Sequence, residues 1–179
     1  MFLLNTQVVT KAFADYVVQQ ARTNLTKGGK NVSKDLYNSI TKEVVSDNDN
    51  NYTIIGFSMD GYGQFVDQGV RGKSSSSKAP NSPFKFGSGT GKKGGLSKGI
   101  LNWVTARRFQ FQDKKSGKFL SYQSTAFLIS RSIYHKGMKP SNFFTRPLEL
   151  GFKKYVDTDL MKAFSQDVDI MIDYNLIKK

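Results

Sequence analysis

Apolar residues recur at three- and four-residue spacing from Val8/Val9 through Ala12/Phe13 and Tyr16/Val17 to Ala21, which predicts a helix over 5–25 that Gly28-Gly29 ends. Ser33 stands where an N-cap would start a short helical turn over 34–37. The next two stretches, 39–45 and 52–59, are rich in Ile, Val, Thr and aromatic residues, and Asp47-Asn48-Asp49-Asn50-Asn51 separates them. That is the pattern of a β-hairpin with a five-residue polar loop. Residues 61–69 put Tyr62, Phe65 and Val66 on one apolar face and predict a single helical turn, packed on the sheet, that ends at Gly69.

Residues 83–86 read as a short strand. Helical spacing returns over 96–108, with Ile100, Trp103/Val104 and Arg107, and over 121–136, with Ala126/Phe127, Ile129/Ser130 and Ile133 on one face and Gly137 as the stop. Between them 109–120 has no clear period, and Lys114-Lys115-Ser116-Gly117-Lys118 reads as a turn. Residues 140–144 are extended. Thr145 then caps a helix with Pro147 in its first turn, where Leu148, Phe152, Val156, Leu160, Phe164 and Val168 recur every four residues. That helix runs to about residue 172 or breaks near Asp157-Thr158. The expected fold is α+β, one domain over 1–179. A small antiparallel sheet packs on N- and C-terminal helices, with a scaffold over 5–70 and 121–172 and a long basic loop and helical insertion over 71–120.

Composition narrows the chemistry. A chain of 179 residues can bury one ordinary core. It has no cysteine, which excludes disulfide scaffolds, thiolate metal sites and cysteine nucleophiles. No apolar run of about 18 residues predicts a membrane span, and the first residues lack the basic and apolar regions of a signal peptide. A reducing cytoplasm is the expected folding compartment, although a chain without cysteine suits any.

Charge changes the picture most. Lys and Arg number 27 against 14 Asp and Glu, a net charge of +13. Residues 71–118 hold 12 of the basic side chains, Arg71, Lys73, Lys78, Lys85, Lys92, Lys93, Lys98, Arg107, Arg108, Lys114, Lys115 and Lys118, against the single acid Asp113. The same stretch carries the Ser74–Ser77 tract and the Gly-rich run from Gly87 to Gly95, so 72–95 is expected to be a long, mobile, basic loop. Phe84, Phe86, Trp103, Phe109 and Phe111 interleave with the charges, as stacking platforms do. Three readings stay open: contact with nucleic acid, docking on an acidic protein surface, and a solvated loop. No RNA-recognition signature, zinc finger or clear helix-turn-helix is present.

Catalytic patterns fail one by one. Gly91-Lys92 imitates a phosphate-binding loop, but Phe86 stands where the first glycine belongs and Lys93 where Ser or Thr is required. His135, the only histidine, sits beside Lys136 at a helix end, where a cation complements the helix dipole. No Gly-x-Ser-x-Gly elbow accompanies it. Asp157/Asp159 and Asp167/Asp169 are two apart on a helix, face different ways and read as a solvated surface. No catalytic residue, metal or cofactor is expected.

The order of the motifs resembles the tail-completion, or head–tail joining, proteins of tailed bacteriophages. A first helix leads to a Leu with a Ser-Ile shortly after it, here Leu36, Ser39 and Ile40. A strand leads to a Tyr-Gly-x-aromatic-Val-acid-x-Gly segment, here Tyr62, Phe65, Val66, Asp67 and Gly69. Gly137-Met138-Lys139-Pro140 and a Phe-x-x-Pro run, Phe144 to Pro147, lead into the last helix. The resemblance covers about 5–70 and 121–160. Asp35 and Val70 depart from residues common in the family, and 71–118 is longer than usual. It implies a structural virion protein of the neck, made in the host cytoplasm and acting without catalysis. Its partners would be copies of itself in a six- or twelve-fold ring, the neighbouring head-connector and tail-tube proteins, and DNA in the channel, with no membrane. The alternatives are a nucleic-acid-binding protein using 71–118 and, more remotely, a nuclease.

Overall fold

Hydrophobic spacing and turn residues produce, in chain order, α1 (Leu4–Lys27), α2 (Asp35–Ser39), β1 (Thr41–Asp47), β2 (Tyr52–Ser58), α3 (Gly63–Gln68), β3 (Val70–Arg71), α4 (Gly95–Ala106), α5 (Tyr122–Lys136), β4 (Gly137–Met138) and α6 (Thr145–Gly151). α6 continues as a π-helix, Phe152–Leu160, and as α-helix again over 161–168. The computed structural model describes residues 4–29, 32–47, 52–89 and 95–168. The fold is α+β, with two antiparallel two-stranded sheets, β1-β2 and β3-β4. The chain forms two compact units, one from 1–60 with 143–179 and one from Gly61–Asn142. The second unit therefore takes in more than the 71–120 insertion.

In the first unit α1 buries Phe13, Ala14, Val17, Val18, Ala21 and Leu25, the face its spacing predicts. β1 and β2 pair with Val44 opposite Ile55 and pack on α1, where Phe13 meets Phe57 edge-on at 6.2 Å. Residues 48–51 of the expected hairpin loop lie outside the described residues. Ser39 does not open the strand. Its hydroxyl donates to the Leu36 carbonyl at 3.0 Å, so it closes α2 instead. Ser33 does not cap α2 either: Lys34 precedes it, in the left-handed region at φ 60°.

The last helix turns a different row inward from the one expected. Pro147, Gly151, Ala163 and Asp167 are buried, with Tyr155 and Asp159 half-buried between them; of the expected row Leu148, Val156, Leu160 and Val168 are half-buried and Phe152 and Phe164 about half exposed. Two adjacent rows share the four-residue period, and bulk alone selects the wrong one. α1 presents Phe13 and Tyr16, which leave no room for a side chain at the point of closest approach, while Phe152 and Tyr155 pack on the same rings from either side. A β-carbon is missing at Gly151, where it would lie 2.8 Å from Phe13 Cε2. A four-residue row drifts about 40° per step around an α-helix of 3.6 residues per turn. The wider turns of Phe152–Leu160 offset that drift and keep the row on α1. Phe144, not Thr145, precedes α6, and its side chain provides no cap. Residues from 169, including Asp169, are outside the described part.

The second unit packs α4 on α5, with Val104, Thr125, Ala126 and Ser130 buried. Ser121 caps α5, its hydroxyl accepting the Ser124 N–H at 3.1 Å. Phe127, expected inward, is exposed. β3 pairs with β4, Val70 opposite Met138 and Arg71 opposite Gly137. The stretch 72–89 is not loosely held. The Lys73 and Ser74 N–H groups donate to the Tyr134 and His135 carbonyls at 2.9 and 3.1 Å. Phe84 and Phe86 bracket Arg71 through backbone bonds of 2.8 and 2.9 Å, and Ala79 and Ser82 are buried. Ser and Gly composition signals a high ordering entropy, which these bonds and contacts offset. Residues 90–94 lie outside the described part.

Candidate functional site

Charge separates by unit more sharply than by position along the chain. The span 61–142 holds 15 basic and two acidic residues, a balance of +13, whereas the other unit holds 12 of each. The second unit thus accounts for the whole net charge. Neither of its acids offers a free carboxylate face. Asp67 is buried. Asp113 is tied into its own turn, accepting from the Lys115 N–H at 3.0 Å, the Ser116 N–H at 2.7 Å and the Ser116 hydroxyl at 2.9 Å. The Ser116 backbone N–H and then its hydroxyl hold the Asp113 carboxyl below its ordinary value.

The basic residues fall into two groups. Arg71, Lys73 and Lys85 gather at β3, where Lys85 forms a parallel bridge with Arg71 and the Lys73 ammonium lies 5.9 Å from the Tyr134 ring centre. Arg71 Nε is buried and makes no hydrogen bond among the described residues. Arg107 and Arg108 lie in the turn after α4, and Lys114, Lys115 and Lys118 sit on a hairpin closed by the Gln112–Phe119 bridge. Lys78 and Lys98 are exposed at other points of the unit, and Lys92 and Lys93 are outside the described residues. Arg131, Lys136 and Lys139 belong to the same unit, though a window ending at 118 leaves them out. Counting charge by folded unit would have found them.

The aromatic residues also divide. Phe84 packs edge-on against Phe65 at 4.6 Å, and Phe86 against Tyr134 at 5.8 Å. Trp103, Phe109 and Phe111 form a continuous series, with successive ring centres 6.0 and 5.3 Å apart.

The motif residues of the resemblance are joints of the fold. Leu36, Ile40 and Pro147 are buried, and Phe144 meets Phe57 at 5.5 Å. Ser39 Oγ also accepts the Asp60 N–H at 3.0 Å. In the second unit Tyr62–Gly69 and Gly137–Pro140 come together. A β-carbon at Gly69, whose φ is 71° and ψ −178°, would lie 2.5 Å from the Met138 carbonyl oxygen and 2.7 Å from the Pro140 nitrogen. Gly137, at φ 84° and ψ 177°, faces Val70 and Gly72 as closely. That backbone region is nearly confined to glycine. Ser141 donates through its N–H and hydroxyl to the Val66 carbonyl. Tyr62 and Phe65 are exposed, contrary to expectation, and the buried face of α3 carries Gly63 and Asp67. The requirement on this short helix is close backbone approach, and a bulky inward face would block it.

Asp167 is no solvated acid; it is buried at the start of α1. Among the described residues no group of three or more His, Cys, Asp or Glu could hold a metal ion, and no helix is long and apolar enough to cross a membrane. The His135 ring nitrogen Nδ1 lies 3.0 Å from Ser74 Oγ. Comparison with protein-family models, curated proteins and solved structures yields no match. What the second unit can do physically is attract anionic groups over a broad surface.

Proposed function

We propose that the chain is a structural protein of the head–tail junction of a tailed bacteriophage, working by assembly, with its second unit turned toward a polyanion. The observation that carries this reading is the meeting of the Tyr62–Gly69 and Gly137–Pro140 motifs, some 70 residues apart, through two close-packed glycines. The segregated charge suits a path for DNA or an acidic neighbouring ring. The test is to stop the gene during infection and image the particles by electron microscopy. Separate full heads and finished tails, joined again when the protein is supplied, are the expected result. Joined particles in its absence would overturn the proposal.

A second reading, a nucleic-acid-binding protein working by itself, is favoured by the +13 balance of 61–142. It requires the isolated chain to bind DNA with an affinity that falls steeply with salt. Weak binding at physiological salt by the isolated chain favours the junction role.

A further inference from the structure

The series Trp103–Phe109–Phe111 is only partly covered: the three residues are 38%, 40% and 38% exposed. It is nevertheless mounted firmly. The Phe109 N–H donates to the Val104 carbonyl at 2.9 Å, with Val104 fully buried below. The Phe111 carbonyl accepts the Leu120 N–H at 2.8 Å, and the Gln110 side chain donates to the Leu120 carbonyl at 2.7 Å. Rings already fixed in place lose little freedom when a ligand covers them. Arg107 and Arg108 occupy the turn between the first two rings, and the hairpin carrying Lys114, Lys115 and Lys118 continues from the third. The only acid of that hairpin, Asp113, is spent on its own turn.

We infer that this aromatic series is a binding platform for single-stranded nucleic acid, with unpaired bases on the rings and phosphates on the flanking arginines and lysines. Stacking on aromatic faces needs bases that are free of a duplex, and the surrounding charge supplies the backbone attraction. A duplex would use the charge and leave the rings idle. A lipid surface fits less well, because the hairpin tip is Lys114-Lys115-Ser116-Gly117-Lys118, and burying it in hydrocarbon would carry lysines with it. The inference does not depend on where the protein sits in a particle.

Trp103 is the only tryptophan, so its fluorescence reports the platform directly. The full chain is titrated with an oligothymidylate of about 20 nucleotides, longer than the ~4–16 nucleotides that a single-strand-binding OB-fold covers. Parallel titrations use a duplex of equal length, polyglutamate, and vesicles of phosphatidylserine and phosphatidylcholine. Saturable quenching by the single strand is expected, with tighter binding than to the duplex. Phe109→Leu keeps an apolar side chain but removes a π face. It should weaken single-strand binding about tenfold and leave duplex binding within about twofold. Equal affinity for duplex and single strand without a change in Trp103 emission would overturn the inference, as would tighter binding to polyglutamate or to the vesicles. If Phe109→Leu does not fold, the wild-type quenching and the single-strand to duplex ratio still decide.

Discussion

Asp167 and Thr6, at opposite ends of the described chain, are joined by two hydrogen bonds. The carboxylate accepts the Thr6 N–H at 2.9 Å and its hydroxyl at 2.7 Å. The other oxygen takes the Asn5 N–H at 3.1 Å and its side-chain amide at 2.9 Å. The last helix thus caps the N-terminal turn of α1. The negative charge also lies at the positive end of the α1 dipole.

Asp167→Asn should therefore lower stability by about 1–2 kcal/mol, or about 2–8 °C in melting temperature. Desolvation pushes the Asp167 carboxyl up, but the bonds from Thr6 and Asn5 outweigh it and hold it below the ordinary carboxylate value. A depressed folded pKa gives stability that is fully present above the unfolded value of about 3.9 and lost as pH falls through the folded value. Urea unfolding from pH 7 downward should show a shallower acid loss in the variant than in the wild type. Parallel curves would show that Asp167 does not titrate in this way.

Gly69→Ala should destabilise the second unit by about 1–3 kcal/mol from backbone strain, and by more if the Met138 carbonyl cannot move away. Gly61→Ala is the control, since nothing lies within 4 Å of its would-be β-carbon. It should stay within about 0.5 kcal/mol of wild type. Equal melting temperatures for the two variants would remove the close-approach argument.

Arg22 secures α2 to α1. Its Nε donates to the Tyr37 carbonyl at 3.1 Å and its Nη2 to the Ile40 carbonyl at 3.0 Å, with the guanidinium 5.2 Å from the Tyr37 ring centre. A lysine cannot span two carbonyls with a rigid fork. Arg22→Lys should cost about 1–2 kcal/mol in chemical denaturation despite keeping the charge, and a loss no larger than that of an exposed lysine swap would contradict it.

Ser82→Ala tests whether 72–89 is held as described. The hydroxyl donates to the Gly69 carbonyl at 2.7 Å in a buried setting and accepts the Phe84 N–H at 3.1 Å. Its removal should cost about 1–3 kcal/mol and speed amide exchange at Phe84 and Phe86. Unchanged exchange would restore the picture of a loose loop.

Much of the fold was legible because period and turn chemistry agree. The 41–58 hairpin alternates around Asp and Asn residues, and α5 follows its apolar period to the Gly137 stop. What escaped depends on partners distant in sequence. The inward row of the last helix is chosen by Phe13 and Tyr16, and the outward turn of Tyr62 and Phe65 by the approach of Met138 and Pro140. The burial of Asp167 is decided by a helix end more than 160 residues away. The basic residues were legible singly. Their concentration in 71–118 was legible too; what escaped is that Arg131, Lys136 and Lys139 belong to the same folded unit.

The first unit is made from both ends of the chain, and this imposes an order on synthesis. α1 is complete early at Lys27, but the helix that covers Phe13 starts only at Thr145, and the Asp167 that caps Thr6 comes later still. At about 5–20 residues per second that is a delay on the order of ten seconds. Over that interval the inserted unit, contiguous in sequence, can fold by itself, while α1 has α2 and the β1-β2 hairpin for shelter. A nascent chain halted before residue 143 would present an exposed apolar helix to chaperones, and one released after 168 would not.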